Sequence, residues 1–435
     1  MVTIEECNDI HLPPSGKLAA ILNRQAGFPE EILSKVSEII KRVDVEGDNA
    51  VADYTEAFDK VTLTAGNFRV PQKALEDARE VMDPDLMEAV AEAEANIRTF
   101  HCRQRKESWF LEDGDGVVIG KRISSLRRVG ICVPGGQTPL LSSLMMSAIP
   151  AQVAGVDEIC VVTPPQQDGL PHNDILATAA MLGLNEVYGI GGAQAVAALA
   201  FGTETIPAVD KIVGPGGPYT VAAKQQVYGK VGIEMIPGPS EIAILMDDSA
   251  NPRYVAADLL SQAEHGSGFE ASICITLSKV LADQVAEEME RQLDTLPRND
   301  VISRALENFG LIVVVPDLHS GVQLVNRIAP EHVEILTDDP WSLLGDIRNA
   351  GAVFLGESSS EPVGDYFAGT NHVLPTNGAA RYASSLGVDD FIKATSVIHY
   401  TQKRLSDTGP KIMRIARAED LEAHARAIQV RLENN

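Results

Sequence analysis

Hydrophobic positions along this chain follow two different periods. In PEEILSKVSEIIKRV (29–43), Ile32, Val36, Ile39, Ile40 and Val43 share one face at the helical repeat, and Pro29 suits a first turn. DPDLMEAVAEAEANIRTF (83–100), rich in Ala and Glu, predicts another helix. From residue 127 the pattern changes to short β-branched runs closed by Gly or Pro. These are RRVGICVPGG (127–136), DEICVVTPP (157–165), NEVYGIGG (185–192) and VDKIVGPGG (209–217). Alanine-rich helical stretches follow the first, third and fourth, which is βαβ spacing and predicts a parallel sheet covered by helices. A second set of runs reads as buried strands: EIAILMDD (241–248), ASICITLS (271–278), LIVVVPD (311–317), EHVEILT (331–337) and AGAVFLG (350–356). Helical stretches such as PRYVAADLLSQAEHG (252–266) separate them.

The predicted class is α/β, with two Rossmann-like, incomplete doubly wound domains, a helical N-terminal segment and a C-terminal helical tail. The expected boundaries are an N-terminal segment 1–29, a discontinuous domain 30–118 plus 243–385, a Gly-rich domain 119–242, and a tail 386–435. Glycine usage supports the central division, since 19 of the 35 glycines lie between Gly114 and Gly238. Three Gly-rich loops at the carboxyl edge of the middle sheet suit a phosphate-bearing cofactor, because glycine lets backbone N–H groups approach an anion.

Composition narrows the partners. The net charge of −25 would repel nucleic acid and anionic lipid, so neither is expected. No apolar run is long enough for a membrane span, and the first residues do not read as a secretory signal. Five scattered cysteines without C-x-x-C spacing predict a reduced, cytoplasmic chain.

Four places could carry chemistry. Gln262 and His265, in SQAEHG, stand at i and i+3 near a helix end and could form half of a zinc site. A polar helix end accounts for the same pair. Glu331 and His332 open an apolar strand in APEHVEIL, where imidazole beside carboxylate is equipment for moving protons; a solvated charged pair at a strand mouth is the plainer reading. In the long loop EPVGDYFAGTNHVLPTNG (361–378), Asp365 could ligate a metal and His372 could touch substrate, or the loop is a surface excursion. Glu419 and His424 lie on the terminal helix, where His424 reads by pattern as half-buried and structural. GIGGAQ (189–194) lacks the full G-x-G-x-x-G. His11 and His319 read as surface residues, and His101, His172 and His399 show no partner.

Taken together, the segments resemble histidinol dehydrogenase. The resemblance rests on VPGG (133–136), GGAQAVAALAFGTE (191–204), VDKIVGPG (209–216), PGPSE (237–241), AADLLSQAEHG (256–266), APEHVEI (329–335), GDYFAGTNHVLPTNG (364–378) and LEAHARAI (421–428). It implies oxidation of L-histidinol to L-histidine through the aldehyde, with one Zn²⁺ per subunit and two NAD⁺ in succession. It implies zinc ligands Gln262, His265, Asp365 and His424. Glu331 and His332 become the proton-handling pair, and Ser240, His372 and Glu419 join the ligands and that pair as substrate contacts. Cys132, Gln194 and Gly217 match the nucleotide-contact positions, but Cys132 stands where the family has tyrosine and Gly217 where it has asparagine. An intertwined homodimer is implied, in which Glu419 and His424 complete the neighbour's site. Rival readings are a zinc- and NAD-dependent dehydrogenase of another small polar alcohol, a zinc hydrolase without nicotinamide, and a non-catalytic zinc-binding protein.

Overall fold

The computed structural model describes residues 2–9, 13–23, 27–136 and 138–433; His11 falls outside them. Two parallel sheets dominate. The larger has six strands in the order Thr3–Glu6, Gly310–Val314, Ala271–Thr276, Glu241–Met246, His332–Leu336, Ala352–Leu355. After the edge strand Thr3–Glu6, the chain re-enters this sheet at Glu241–Met246, steps outward twice, then returns to the other side, so the winding reverses between Glu241–Met246 and His332–Leu336. The five-stranded sheet runs Val187–Tyr188, Glu158–Val162, Arg128–Cys132, Lys211–Val213, Gly232–Ile233, with its reversal between Arg128–Cys132 and Lys211–Val213. Both are the α/β arrangement expected from the spacing of the apolar runs.

Several elements differ from expectation. The helices within residues 30–102 pack on the five-stranded sheet's layer, not beside the larger sheet with 243–385. Helix Glu30–Glu46 lies on helices Gly192–Phe201 and Pro218–Val227, and its stripe of Val36, Ile39 and Val43 is buried with Ala193, Val196 and Ala222. Helix Gln72–Val81 covers Asn173–Met181, and Pro84–Cys102 covers Leu141–Ala154. A hydrophobic stripe requires a covering surface but does not name it. The strands of the five-stranded sheet are apolar on both faces, and their short Ala-rich helices leave an apolar outer side that these helices cover.

The N-terminal segment opens with the edge strand Thr3–Glu6, paired in parallel with Gly310–Val314. Helix Asn173–Met181 follows the second, proline-closed unit (157–165), hidden in sequence by the turn residues before it. The tail is not helical from residue 386: strand Ile392–His399 pairs antiparallel with Val118–Ser125, which also pairs with Trp109–Glu112. Helices Gln402–Ala418 and Glu422–Glu433 come after it.

Candidate active site

The carboxyl edge of the five-stranded sheet faces the amino edge of the larger one across a cleft of about 590 Å³. One wall is the three glycine loops, contributing Cys132 to Gly136, Gly191–Gly192 and Pro215 to Gly217; the other includes His265, Glu361 and Asp365. Gly214 shows why the third loop needs glycine. Its φ is +102°, and a Cβ there would sit 2.2 Å from the Cys132 carbonyl oxygen.

At the opposing edge, Glu331 and His332 are both buried. Both hold the same backbone residue. Glu331 Oε2 accepts the Glu241 N–H at 3.0 Å, and His332 Nδ1 lies 3.2 Å from the Glu241 carbonyl oxygen. A carbonyl only accepts, so Nδ1 carries a proton and donates it there, which leaves Nε2 to face the site. Nε2 is buried without a hydrogen-bond partner, 3.6 Å from Asp365 Oδ1. Burial pushes the Glu331 carboxyl up to about 7 despite His332. For His332, burial lowers the pKa, but Glu331 and Asp365 outweigh it and raise it to about 10.

The metal-type donors gather beside this pair. Gln262 is fully buried, and neither amide atom has a partner. His265 places Nδ1 3.1 Å from the Gln262 carbonyl oxygen, which leaves Nε2 for another partner. Ligand atoms of His265, Glu361 and Asp365 all lie within 4.8 Å of one another. Asp365 lies on a short helix, Glu361–Tyr366, rather than in an open loop. The field of His332 holds its carboxyl below the usual range although burial opposes this.

His372 ties the two walls together. Its Nδ1 is 3.1 Å from the Asp365 carbonyl oxygen, and its Nε2 is 3.1 Å from Ser143 Oγ on helix Leu141–Ala154. Ser240 directly precedes Glu241, and its carbonyl accepts the Ala271 N–H at 3.1 Å. Gln194 is buried and lines a neighbouring 510 Å³ cavity with Tyr54, Phe58 and Tyr219; Gly192 borders both spaces. Burial pushes the Cys132 thiol up to about 12, so it is no nucleophile.

Glu419 and His424 do not join this cluster within one chain. Both are exposed on the tail, and His424 is not the half-buried residue its neighbours suggest. Of the other histidines, His101 is buried with Nδ1 2.8 Å from the Ile97 carbonyl oxygen, His172 caps a helix, and His319 pairs with Gln323. Sequence reasoning missed Ser143, Glu241 and Glu361. Only Glu361, one helical turn before Asp365, carried a signal.

The histidinol dehydrogenase family model matches residues 22–432 of this chain. The chain belongs to the histidinol dehydrogenase family. It is 52% identical over 399 residues to the histidinol dehydrogenase of Halalkalibacterium halodurans, covering 92% of this chain and 93% of that one. Identity to the Geobacillus kaustophilus histidinol dehydrogenase is 52% over 404 residues, with 93% and 95% covered. The crystal structure of histidinol dehydrogenase from Elizabethkingia anophelis superposes with a TM-score of 0.92 at 37% identity, covering 100% of this chain and 98% of that one. As a member of the histidinol dehydrogenase family, the chain is an NAD-dependent oxidoreductase of histidine biosynthesis. No described helix is long and apolar enough to cross a membrane.

Proposed function

We propose that the cleft oxidises L-histidinol to L-histidine through the aldehyde, with Glu331 and His332 handling protons. The observation that carries this is the His332 ring, whose Nδ1 is held by the Glu241 carbonyl while Nε2 stays buried without a partner. A cation held by Asp365 would offset the carboxylate field that keeps this ring protonated, leaving Nε2 aimed and free to receive a proton. His332 Nε2 takes the alcohol proton in each oxidation, first from the alcohol and then from the hydrated aldehyde. Glu331, raised toward neutrality by burial, takes the proton of the water that adds to the aldehyde carbon.

The donor set fits a zinc ion. A buried carboxamide with both atoms unsatisfied costs about 1–3 kcal/mol per group unless something binds it. Gln262, His265 and Asp365 would hold the metal, with His424 from a second subunit as the fourth ligand. Bound Zn²⁺ would hold the substrate's nitrogens, and NAD⁺ would accept a hydride in each of two successive oxidations. Ser240, His372 and Glu419 complete the substrate contacts in this reading. The glycine loops with Cys132, Gln194 and Gly217 form the nucleotide side.

The exposed Glu419 and His424 support a homodimer whose tails cross. The packing supports grouping residues 30–102 with the Gly-rich sheet rather than with 241–385. The five cysteines, all free, fit work in a reducing cytoplasm. His332→Asn tests the catalytic assignment: turnover should vanish while bound metal is retained. Loss of metal in that variant would make His332 a ligand instead, and normal turnover would remove it from the reaction.

A further inference from the structure

Behind the proton-handling pair lies a second layer of carboxyls that the reaction does not use. Glu334 is fully buried, two residues beyond His332 on the strand His332–Leu336, so both side chains leave the same face. Leu336 on that face is buried with Leu259 and Leu260 of helix Pro252–Ala263, which fixes the face as the one covered by that helix. Asp258 of the helix stands beside Glu334, one turn before Gln262. Glu334 Oε1 accepts the Glu361 N–H at 2.8 Å, and Glu361 opens the short helix that presents Asp365 one turn later. Three elements each contribute one residue to the site, namely His332, Gln262 and Asp365. The same three meet at Glu334 one repeat further on.

We propose that Glu334 is a positioning residue: it clips the helix of Gln262 and the helix of Asp365 to the strand of His332, and so sets the spacing between base and metal donors. This rests on the roles assigned to those three residues above. The chemistry of the clip follows from its partners. Three carboxyls crowd a dry space, and burial with the nearby Asp258 raises Glu334 to about 9, so its carboxyl keeps a proton near neutrality. Oε1 accepts from Glu361, while Oε2 is buried without a hydrogen-bond partner, in the field of the neighbouring Asp258 carboxyl. A glutamine can keep the bond to Glu361 and a neutral polar group beside Asp258 in the same shape; a leucine can keep neither.

The test compares Glu334→Gln, Glu334→Leu and Asp258→Ala in the full-length enzyme, measuring bound zinc, melting temperature, and kcat and KM for L-histidinol and NAD⁺. Glu334→Gln should stay within about twofold of the parent in every constant. Glu334→Leu should lower kcat at least tenfold, raise the L-histidinol KM and lose zinc more readily to a chelator, with the NAD⁺ KM unchanged because the glycine loops lie on the other sheet. Asp258→Ala, at a partly buried position, should show the same direction with a smaller change. Parent-like kcat, KM and zinc retention in folded Glu334→Leu would overturn the proposal, as would Glu334→Gln failing like the leucine variant. If Glu334→Leu does not fold, parent-like values in Asp258→Ala overturn it. His332→Asn run alongside separates the underlying reading. Normal turnover there sinks the catalytic assignment, and Glu334 is then judged on zinc retention alone.

Discussion

Lys224 Nζ and Glu234 Oε1 meet at 2.5 Å with both side chains buried, and together they hold both backbone groups of Gly214. Lys224 donates to the Gly214 carbonyl at 2.8 Å, and the Glu234 carboxylate accepts the Gly214 N–H at 2.9 Å. The ion pair is thus a mount for the third glycine loop, whose strained turn needs its backbone fixed from behind. Lys224→Met would strand a buried carboxylate. It should cost about 3–5 kcal/mol in a denaturant titration, while Lys224→Met with Glu234→Met recovers much of that. A single variant within about 1 kcal/mol of the parent would show that the pair does not carry the loop.

Gly217 borders the cleft with an ordinary φ of −66°, and a Cβ there would meet nothing within 4 Å. Sterics therefore do not require glycine, and the side chain that the family resemblance expects here is simply missing. Gly217→Asn should lower the KM for NAD⁺ about threefold or more, leaving the L-histidinol KM alone; one added hydrogen bond is worth roughly 0.5–1.5 kcal/mol. An unchanged KM would mean that backbone groups suffice.

Glu419 and His424 lie out on the tail while the cluster they should complete lies in the cleft. Crossed tails predict complementation. His332→Asn and His424→Asn homodimers should each be inactive, but unfolding and refolding them together should restore about a quarter of parental activity. Half of the dimers would be mixed, each with one intact site. No recovery in verified mixed dimers would place the tail on its own subunit.

Much of this was legible in the chain. The short apolar runs, closed by Gly or Pro in the middle segment, forecast two α/β sheets, because strands buried on two faces need continuous apolar sequence. Gln262, His265, Glu331, His332 and Asp365 were singled out, and they converge on one edge. What escaped was long-range. The stripe of Val36, Ile39 and Val43 says that a face is buried without saying which sheet buries it. The tail strand Ile392–His399 pairs with residues some 270 positions earlier, a register that no local period encodes. Ser143 and Glu334 look like an ordinary helix serine and an ordinary strand glutamate until the fold brings His372 and Glu361 to them.

The most direct measurement is the stoichiometry of the reaction. The purified protein is supplied with Zn²⁺, excess NAD⁺ and a limiting amount of L-histidinol; reduced nicotinamide is followed by absorbance and the product identified. Two NADH per L-histidinol with L-histidine as the product is the predicted result. One NADH with free aldehyde, or none over a wide range of NAD⁺, would contradict it.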